Sequence, residues 1–466
     1  MPLPQQPPHV SATGSLPHIV IVGGGFAGLY TAKGLGNQPV RVTLVDKRNF
    51  HLFQPLLYQV ATGNLSPADI SAPLRAVLNR YKNVETLLGE VVGIDPHAKT
   101  LTLRDGSLSY DQLVLAAGGQ SHYFGNDHWA EAATSLKTLE DAIEMRHKLF
   151  LAFEAAERQT DAVLRKNWLR FVIIGGGPTG VELAGSLVEL AHSILREDFR
   201  HIQMEDLDIV LLEGCDRLLA AYPEKLSRHA EEDLTRLGVR VCTGARVTHI
   251  QPTRVSIEQD GSASHIATHT VLWAAGVKAS PLGQQLASAL STETDRGGRL
   301  IVNPDLTLPG HPDIYVAGDL AHVKQPNGQP LPGVAPVAMQ QGIYIAKRIR
   351  AGLNQQVTPP FSYVDKGSLA VIGRNRAVAH IGPLQVSGLP AWLIWSFIHI
   401  WYLIGFENQL QVFIRWLWAY LTRHLDARLI TVRDPFPLCQ PPGGSSPQPT
   451  AADDAEEAVP HNRSVA

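Results

Sequence analysis

A short apolar strand, a glycine turn and a helix-like stretch follow one another twice along the chain. The first apolar run, His18–Val22, leads directly into Gly23–Gly28, and the second, Leu169–Ile174, leads into Gly175–Gly180. Each run is too short for a globular helix and is rich in β-branched residues, which favours a buried strand. The pattern therefore predicts an α/β fold with two Rossmann-type dinucleotide-binding domains.

The two ends of the chain lack this pattern. Residues 1–17 are rich in Pro and Gln and have neither the basic nor the apolar stretch of a signal peptide, so we expect a disordered leader. Residues 434–466 combine Pro, Gly and Ser with an acidic cluster and predict a disordered tail. Between them, no apolar run reaches the roughly 18–20 residues of a membrane-spanning helix.

Composition and charge exclude several classes of function. With 466 residues, 44% of them hydrophobic and 18% charged, the chain should form several globular domains. A formal net charge of -3 gives no reason to expect nucleic-acid binding. The three cysteines have no CxxC or metal-ligand spacing, which argues against a metal site and a disulfide scaffold.

The first glycine turn has the spacing of a dinucleotide fingerprint. Gly23 permits the tight turn, Gly25 lets backbone N–H groups approach a pyrophosphate, and Gly28 lets the helix pack closely on the strand. The next strand, Val42–Val45, ends in Asp46, where the fingerprint places an acid for a ribose hydroxyl. The alternative is a glycine-rich turn in a domain that binds no nucleotide.

The second glycine turn repeats this spacing, at Gly175, Gly177 and Gly180. The strand Ile209–Leu212 ends in a second acid, Glu213. A carboxylate there accepts hydrogen bonds from a free ribose diol and repels a 2′-phosphate, so we expect NADH to be preferred over NADPH. Arg217 lies close in sequence and can weaken this preference.

Further motifs resemble the two-dinucleotide-binding-domain flavoproteins, which hold FAD in one Rossmann-type domain and a nicotinamide nucleotide in a second, inserted domain. Leu113–Gly118 and Val271–Gly276 are similar to the family's strand-to-glycine crossings, and Pro312–Asp319 to its second FAD signature. Within this class, Asn49–Gly63 resembles the flavin-lining loop of the type II NADH dehydrogenases, which are single-subunit, non-pumping NADH:quinone oxidoreductases. The resemblance extends from about residue 18 to residue 432.

The resemblance implies domain boundaries and cofactor positions. It implies FAD-binding parts at 18–135 and 298–385, with an NAD(H)-binding domain inserted at 136–297. The FAD positions are Gly23, Gly25, Phe26, Ala27, Gly28, Asp46, Lys47, Gln54, Pro55, Leu56, Ala117, Gly118, Gly318, Asp319 and Ala338. The NADH positions are Gly175, Gly177, Pro178, Thr179, Gly180, Glu182, Glu213, Ala275 and Gly276.

One acid is a candidate for a direct role in the reaction. Family members place an acid at the position of Glu182, close to the nicotinamide. A glutamate in the first turn would equally stabilise the helix N-terminus, so both interpretations stay open. His51 and His399 are possible proton donors, but a single histidine is more often structural, and we assign neither a catalytic role.

The quinone site is predicted around two adjacent glutamines. Gln340 matches the second of two glutamines that the family uses at its quinone, and Gln341 follows it. Pro336 replaces the first of the pair; because proline suits a first helical position, we expect the helix to form there. Gln340 can equally be an ordinary polar helix residue.

Residues 386–433 predict an amphipathic, membrane-associating region. Five of the eight tryptophans lie in it, at Trp392, Trp395, Trp401, Trp416 and Trp418. Between residues 361 and 433, seven basic residues oppose three acidic ones, a net charge of +4. Aromatic helices flanked by arginine suit a monotopic anchor at an anionic bilayer, as the resemblance also implies. The alternative is that these tryptophans fill a core or a homodimer interface.

The sequence therefore predicts an FAD-dependent enzyme that takes a hydride from NADH and passes electrons to a membrane quinone without pumping protons. The alternatives are a soluble NAD(P)H diaphorase with a protein acceptor and a non-catalytic flavoprotein. No cysteine lies in the loop after the first glycine turn or near Gln54, which argues against the disulfide-reductase and sulfide:quinone branches. Without a signal peptide, we expect a peripheral protein on the cytoplasmic face of the inner membrane.

Overall fold

The first strand–glycine–helix unit lies at the centre of a six-stranded sheet in the computed structural model, which describes residues 16–325, 328–422 and 429–431. The strands lie in the order Thr307–Leu308, His311–Val316, Gln112–Leu115, His18–Val22, Arg41–Asp46 and Val84–Leu88. The first pair is antiparallel and the other neighbours are parallel. The predicted leader, up to residue 15, and the predicted tail lie outside the described residues.

The second unit forms a separate, parallel sheet of five strands. Their order is Ala133–Ser135, Thr270–Trp273, Arg170–Ile174, Asp208–Leu212 and Val239–Cys242. The central strands are buried almost throughout, as in a parallel sheet that helices cover on both faces. Two Rossmann-type sheets confirm the predicted fold class. The strand Ala133–Ser135 pairs in this second sheet, although the boundary predicted at residue 135 assigns it to the first domain.

The described residues form eleven α-helices, numbered here in chain order. They are α1 Phe26–Leu35, α2 Leu57–Ala61, α3 Leu74–Leu78, α4 Leu139–Glu157, α5 Ala162–Trp168, α6 Pro178–Glu197, α7 Glu224–Arg236, α8 Pro281–Leu290, α9 Ala335–Leu353, α10 Leu389–Tyr402 and α11 Phe406–Thr422. Short 3-10 turns occur at Gln54–Leu56, Pro67–Ile70, Asp127–Glu131, Met204–Asp206 and Gly318–Leu320.

Local sequence explains where several helices begin. Thr138 and Asp141 form a capping box at the start of α4, in which each side chain satisfies a backbone N–H of the other. Ser280 caps α8, and a proline follows it in the first turn. Pro336 lies in the first turn of α9, so the helix predicted there forms despite the replacement of the family's glutamine.

Small antiparallel sheets and ribbons complete the fold. Gly119–Ser121 pairs with Val277–Ala279, which joins the crossings that leave the two Rossmann-type sheets. Phe50–Leu52 pairs with Ser71–Pro73. One three-stranded antiparallel sheet consists of Val91–Asp95, Thr100–Leu103 and Gly106–Ser109, and another consists of Arg246–Gln251, Arg254–Gln259 and Ser262–Ala267. Leu300–Ile301 and Ala321–His322 form a short parallel pair.

A three-stranded sheet near the C-terminus packs on α6 of the second domain. Its strands are Ser368–Gly373, Arg376–Ile381 and Leu384–Ser387. The contact is tight at Gly185, where an added Cβ would lie 1.7 Å from the Ile372 carbonyl oxygen, so any larger residue would push the sheet off the helix. The boundary predicted at residue 386 falls inside the third strand of this sheet.

Helices α10 and α11 follow this sheet, and α10 packs against it. Leu389, Leu393, Phe397 and Trp401 recur every four residues along α10, and each is exposed. Exposed apolar side chains continue along α11, at Phe406, Leu410, Phe413, Ile414, Leu417, Trp418 and Leu421. Among the described residues, no helix is long and apolar enough to cross a membrane.

Candidate functional site

A hydrogen bond joins the first glycine turn to the acid at the end of the next strand. The Gly24 amide donates to Asp46 Oδ2 at 2.6 Å. A Cβ added at Gly28 would lie 1.8 Å from the Gly23 carbonyl oxygen, so only glycine allows α1 this close to the strand. A Cβ at Gly25 would meet nothing within 4 Å. Open space at a helix N-terminus, beside its unpaired N–H groups, has the form of a pyrophosphate cradle. We call Gly23–Gly28 with Asp46 the first cradle.

The second glycine turn, Gly175–Gly180, which together with Glu213 we call the second cradle, has the same geometry. The Gly176 amide donates to Glu213 Oε2 at 2.5 Å, and a Cβ at Gly180 would lie 1.8 Å from the Gly175 carbonyl oxygen. The space beside Gly177 is again open to at least 4 Å. The structure therefore brings together the predicted glycines and acid of each dinucleotide site.

The segment predicted to be the second FAD signature, Pro312–Asp319, lies beside the first cradle. The Gly318 amide donates to Gln341 Oε1 at 2.6 Å, and a Cβ at Gly318 would lie 3.7 Å from that of Ala27 and 3.8 Å from that of Ala338. Gln341 is buried, and its Nε2 finds no hydrogen-bond partner among the described residues. An unsatisfied donor beside an open glycine cradle fits a site built for a polar cofactor such as FAD.

Lys137 joins two parts of this site. It is not among the positions predicted from the sequence. Its Nζ donates to Asp319 Oδ2 at 2.9 Å, and its carbonyl oxygen accepts a hydrogen bond from Gln54 Nε2 at 3.2 Å. The one local signal for its placement is the capping box that begins at the next residue, Thr138, and fixes the start of α4. Nothing local indicates a contact with Asp319, 182 residues away.

The other predicted FAD positions lie at the ends of elements around the first cradle. They are Phe26 at the start of α1, Lys47 just after Asp46, Pro55 and Leu56 in a 3-10 turn, and Ala117 and Gly118 after the strand Gln112–Leu115. Because parallel strands end at one edge of the sheet, these positions occupy the usual ligand-binding side of a Rossmann-type domain.

The other predicted NADH positions flank the second cradle. Pro178 and Thr179 begin α6, and Ala275 and Gly276 follow the strand Thr270–Trp273. Arg217 donates from its two terminal nitrogens to the carbonyl oxygens of Ala220 and Tyr222, at 2.8 and 3.1 Å.

Glu182 lies in α6 with its side chain buried under the C-terminal sheet. Its Oε1 accepts a long hydrogen bond from the Val371 amide at 3.4 Å. Burial raises the pKa of Glu182 to about 8, against a smaller lowering by the Val371 amide and the Trp395 indole. Glu182 is the fifth residue of α6, and the first turn of that helix contains no acid. The helix-dipole alternative is therefore not supported.

Gln340 and Gln341, predicted together at the quinone, make different contacts. The Gln340 side chain donates from Nε2 to the Val364 carbonyl oxygen at 2.9 Å and accepts from the Val364 amide at 3.0 Å. Gln341 holds the Gly318 turn instead. In this structure both side chains bind backbone groups, which fits the alternative of a structural role for Gln340.

A row of aromatic rings leads from the first cradle to the C-terminal helices. Phe53 lies 5.9 Å from Phe26 and 6.2 Å from His399, between ring centroids, and His399 stacks on Trp395 at 4.3 Å. Burial lowers the pKa of both His51 and His399 to about 4. Neither ring is protonated at neutral pH, which is consistent with assigning them no proton-donor role.

The five C-terminal tryptophans divide between the two predicted roles. Trp395 is buried, Trp392 and Trp416 are half-buried, and Trp401 and Trp418 are exposed. Trp395 and Trp416 stack on each other at 5.2 Å. The core and surface interpretations therefore both apply, each to different residues.

Comparisons with known proteins agree with this architecture. A family model for pyridine nucleotide-disulphide oxidoreductases matches residues 17–342, and a model for the NDH2 C-terminal domain matches residues 366–424. The chain is 41% identical over 426 residues to the type II NADH:quinone oxidoreductase Ndh of Mycobacterium tuberculosis, covering 90% of this chain and 91% of that protein. It is 43% identical over 431 residues to NdhA of the same organism, with the same coverage.

Solved structures share the fold. NDH2 from Plasmodium falciparum in complex with NADH superposes with a TM-score of 0.81 and 20% identity, covering 87% of this chain and 98% of that one. A sulfide:quinone oxidoreductase from Aquifex aeolicus superposes with a TM-score of 0.68 and 21% identity, covering 84% and 92%.

Proposed function

Because this chain belongs to the type II NADH:quinone oxidoreductases, a flavoenzyme family that passes electrons from NADH to a quinone, we propose a role for each of its regions in that reaction. The first cradle holds FAD, the second admits NADH, and quinone arrives at the face formed by α10 and α11. The observation that carries this proposal is the pair of matched glycine–acid cradles, Gly24–Asp46 and Gly176–Glu213.

FAD would be held by the first glycine turn, by Asp46 at a ribose, and by the Gly318–Asp319 turn that Gln341 and Lys137 support. The chemistry that FAD supplies when bound is acceptance of a hydride from NADH and transfer of its electrons to a quinone. Helix α9 begins beside this turn, and the positive end of its dipole favours negative charge there.

Glu182 is proposed to hold a proton near the nicotinamide and the C-terminal helices. With a pKa of about 8, its carboxyl group is mainly protonated at neutral pH, and it can release a proton without a large energetic cost. Quinone reduction consumes two protons, so a buried proton store on the path between the second cradle and α10 suits the reaction. Gln340 remains a candidate quinone residue alongside Gln341.

Glu213 is proposed to select NADH over NADPH. Its carboxylate lies at the end of the strand Asp208–Leu212, where a 2′-phosphate would meet negative charge. Arg217, the neighbouring cation, turns its terminal nitrogens to the backbone of Ala220 and Tyr222. It is thereby engaged away from a phosphate, which strengthens the preference.

The exposed apolar face of α10 and α11 is proposed to bind the bilayer surface, from which a lipid-soluble quinone can enter. Phe397, Trp401 and Phe406 are 66%, 68% and 77% exposed, and a contiguous exposed apolar patch of this kind marks a contact with a partner or a membrane. Such a face on helices too short to span suits peripheral attachment, at the cytoplasmic side where NADH is available. The same face can also support a homodimer in the absence of lipid.

Vesicle flotation tests the membrane assignment with a matched control. Leu393→Gln with Phe397→Gln should reduce co-flotation with anionic vesicles severalfold, because two apolar side chains are lost from the contact. Val163→Gln with Leu164→Gln changes two exposed apolar residues on α5, 68% and 42% exposed, and should leave flotation unchanged. Equal loss in both pairs would contradict the assignment.

Anaerobic mixing tests the reaction itself. Protein with bound FAD should lose its flavin absorbance on addition of NADH and regain it on addition of a short-chain quinone. Bleaching without reoxidation would refute the quinone assignment for this chain and favour a protein acceptor. In sealed vesicles with the enzyme and NADH outside, turnover should take up protons only from the external medium, and an internal pH change would contradict the expectation that the enzyme does not pump.

A further inference from the structure

Helix α11 contacts the predicted flavin loop, Asn49–Gly63, and the turn that follows it, through two consecutive side chains, Trp416 and Arg415. Trp416 Nε1 donates to Gln59 Oε1 at 2.8 Å, and Gln59 Nε2 donates in turn to the Tyr58 hydroxyl at 3.0 Å. Tyr58 and Gln59 belong to α2, which directly follows the 3-10 turn Gln54–Leu56. A side chain of the C-terminal helices thus bonds one turn away from the predicted flavin contacts.

A second contact joins the same helix to the next turn of that segment. Arg415 Nε lies 3.2 Å from Asp69 Oδ2, and the Asp69 side chain is only 2% exposed. Asp69 also accepts from the Ser66 amide at 2.6 Å, which fixes its position in the Pro67–Ile70 turn. Asn408, two helical turns earlier in α11, donates to the Ser71 carbonyl oxygen at 3.3 Å.

These contacts give α11 two different faces. Phe413, Leu417 and Leu421 are exposed on the face proposed to meet lipid, whereas Arg415 and Trp416 bind the segment 54–71. A plain anchor would need the first face alone. The second face also stacks Trp416 on Trp395, whose indole neighbours Glu182.

We propose that Trp416 and Arg415 are positioning residues for quinone reduction, which hold the segment 54–71 in one geometry against α11 through Gln59 and Asp69. The inference rests on the proposed function, since it assumes that quinone enters at this face. Quinone that enters at this face then meets the flavin at a fixed distance. NADH, which binds at the second cradle, does not depend on this contact.

Removing one partner of these bonds should affect the quinone half-reaction selectively. Trp416→Phe keeps an aromatic ring to stack on Trp395 but leaves Gln59 Oε1, in a side chain that is 7% exposed, without its donor. We expect the KM for a short-chain quinone to rise about tenfold, the usual scale for an unsatisfied buried acceptor. The rate of anaerobic flavin bleaching by NADH should stay within about twofold of wild type.

Matched variants separate positioning from general damage. Gln59→Leu should raise the KM as Trp416→Phe does, and the double variant should add little, because both changes remove the same bond. Arg415→Gln should raise the KM through the second contact, and Arg415→Lys should restore part of the loss because it keeps the charge facing Asp69. Trp168→Phe, in α5 and outside every proposed site, is the control.

Two results would overturn the proposal. One is an unchanged quinone KM in both Trp416→Phe and Arg415→Gln, provided that wild type floats with vesicles and reduces quinone. The other is a parallel loss of NADH-dependent bleaching, which would indicate a structural role only. Wild-type protein that bleaches with NADH but never reduces quinone would instead refute the proposed function.

Discussion

The two dinucleotide cradles are nearly identical in their backbone geometry and differ in what surrounds them. In both, the amide of the glycine directly after the first fingerprint glycine donates to the strand-end acid, from Gly24 to Asp46 at 2.6 Å and from Gly176 to Glu213 at 2.5 Å. In both, the third glycine of the fingerprint would place a Cβ 1.8 Å from the carbonyl oxygen of the first. The shared geometry therefore explains affinity for a dinucleotide but not which dinucleotide each cradle takes.

The two cradles differ in how the chain segments beside them are held. Over the first cradle, Gln341 and Lys137 brace the Gly318–Asp319 turn from two other elements, α9 and the start of α4. Around the second, Arg217, four residues after the acid Glu213, is bonded to its own loop. A neighbouring turn that is braced from other elements suits a resident cofactor, and a loop that is bonded within itself suits a substrate that must leave in every turnover.

Distorting each cradle in turn should have the strongest consequences for the reaction. Gly28→Val should yield protein without FAD, whereas Gly180→Val should keep FAD but lose NADH-dependent bleaching, because each side chain would collide with the backbone of its own turn. We expect a loss of at least about 100-fold in each affected step. Flavin absorbance and stopped-flow bleaching measure the two outcomes. Gly352→Val, where a Cβ meets nothing within 4 Å, should change neither.

Neutralising Glu182 should remove the pH dependence of kcat for quinone reduction. Burial raises its pKa to about 8, so in wild type we expect kcat for quinone reduction to fall as pH rises through about 8. Glu182→Gln should have a kcat lower by about 10- to 100-fold and flat across that range. A Gln variant that keeps the wild-type pH profile would contradict a proton-holding role.

The same shift predicts the effect of Glu182 on stability. Its folded pKa lies above the value of about 4.3 in an unfolded chain, so the unfolded state binds fewer protons between these two values. Stability should therefore fall as pH rises from about 4 to about 8, by roughly 3–5 kcal/mol at most. Glu182→Gln should lack this loss and gain stability over wild type at high pH, which denaturant unfolding at several pH values measures.

Removing the charge of each strand-end acid in turn should show that the two acids act on different nucleotides. Glu213→Gln keeps an acceptor for the Gly176 amide but removes the charge, so the NADPH to NADH ratio of kcat/KM should rise about tenfold. Asp46→Asn makes the corresponding change in the first cradle and should leave that ratio unchanged. Equal changes in the ratio would show that the acids do not act on separate nucleotides.

Contacts between residues that are close in sequence could be predicted from the sequence, whereas contacts between distant segments could not. Each cradle is formed by a glycine turn and an acid on the next strand, so both were predicted, as was the start of α9 at Pro336. The pairing of Ser368–Gly373 with later strands and its packing on α6 were not, because a short alternating strand carries no sign of its neighbour. The domain boundary at residue 386 consequently fell inside a sheet.

The contacts that close the site show the same limit. Gln59 and Trp416 are 357 residues apart, and Lys137 and Asp319 are 182 apart. Each is an ordinary polar or aromatic residue in its local context, and only the assembled fold gives it a partner. Even the adjacent pair Gln340 and Gln341 separates, because neighbours on a helix point about 100° apart and contact different loops.

Lys137 should have a modest effect on how firmly the first cradle holds FAD. Lys137→Met should speed the release of FAD about fivefold, because Asp319 loses a partner whose worth is about 1 kcal/mol in a half-buried ion pair. Lys137→Arg should retain FAD nearly as wild type does. Lys99→Met breaks a comparable pair with Asp313 at 2.7 Å, away from the cradle, and should not change release. Tighter retention of FAD in Lys137→Met would mean that the lysine competes with the cofactor for Asp319. The Gly318–Asp319 turn would then be supported by Gln341 and not by Lys137.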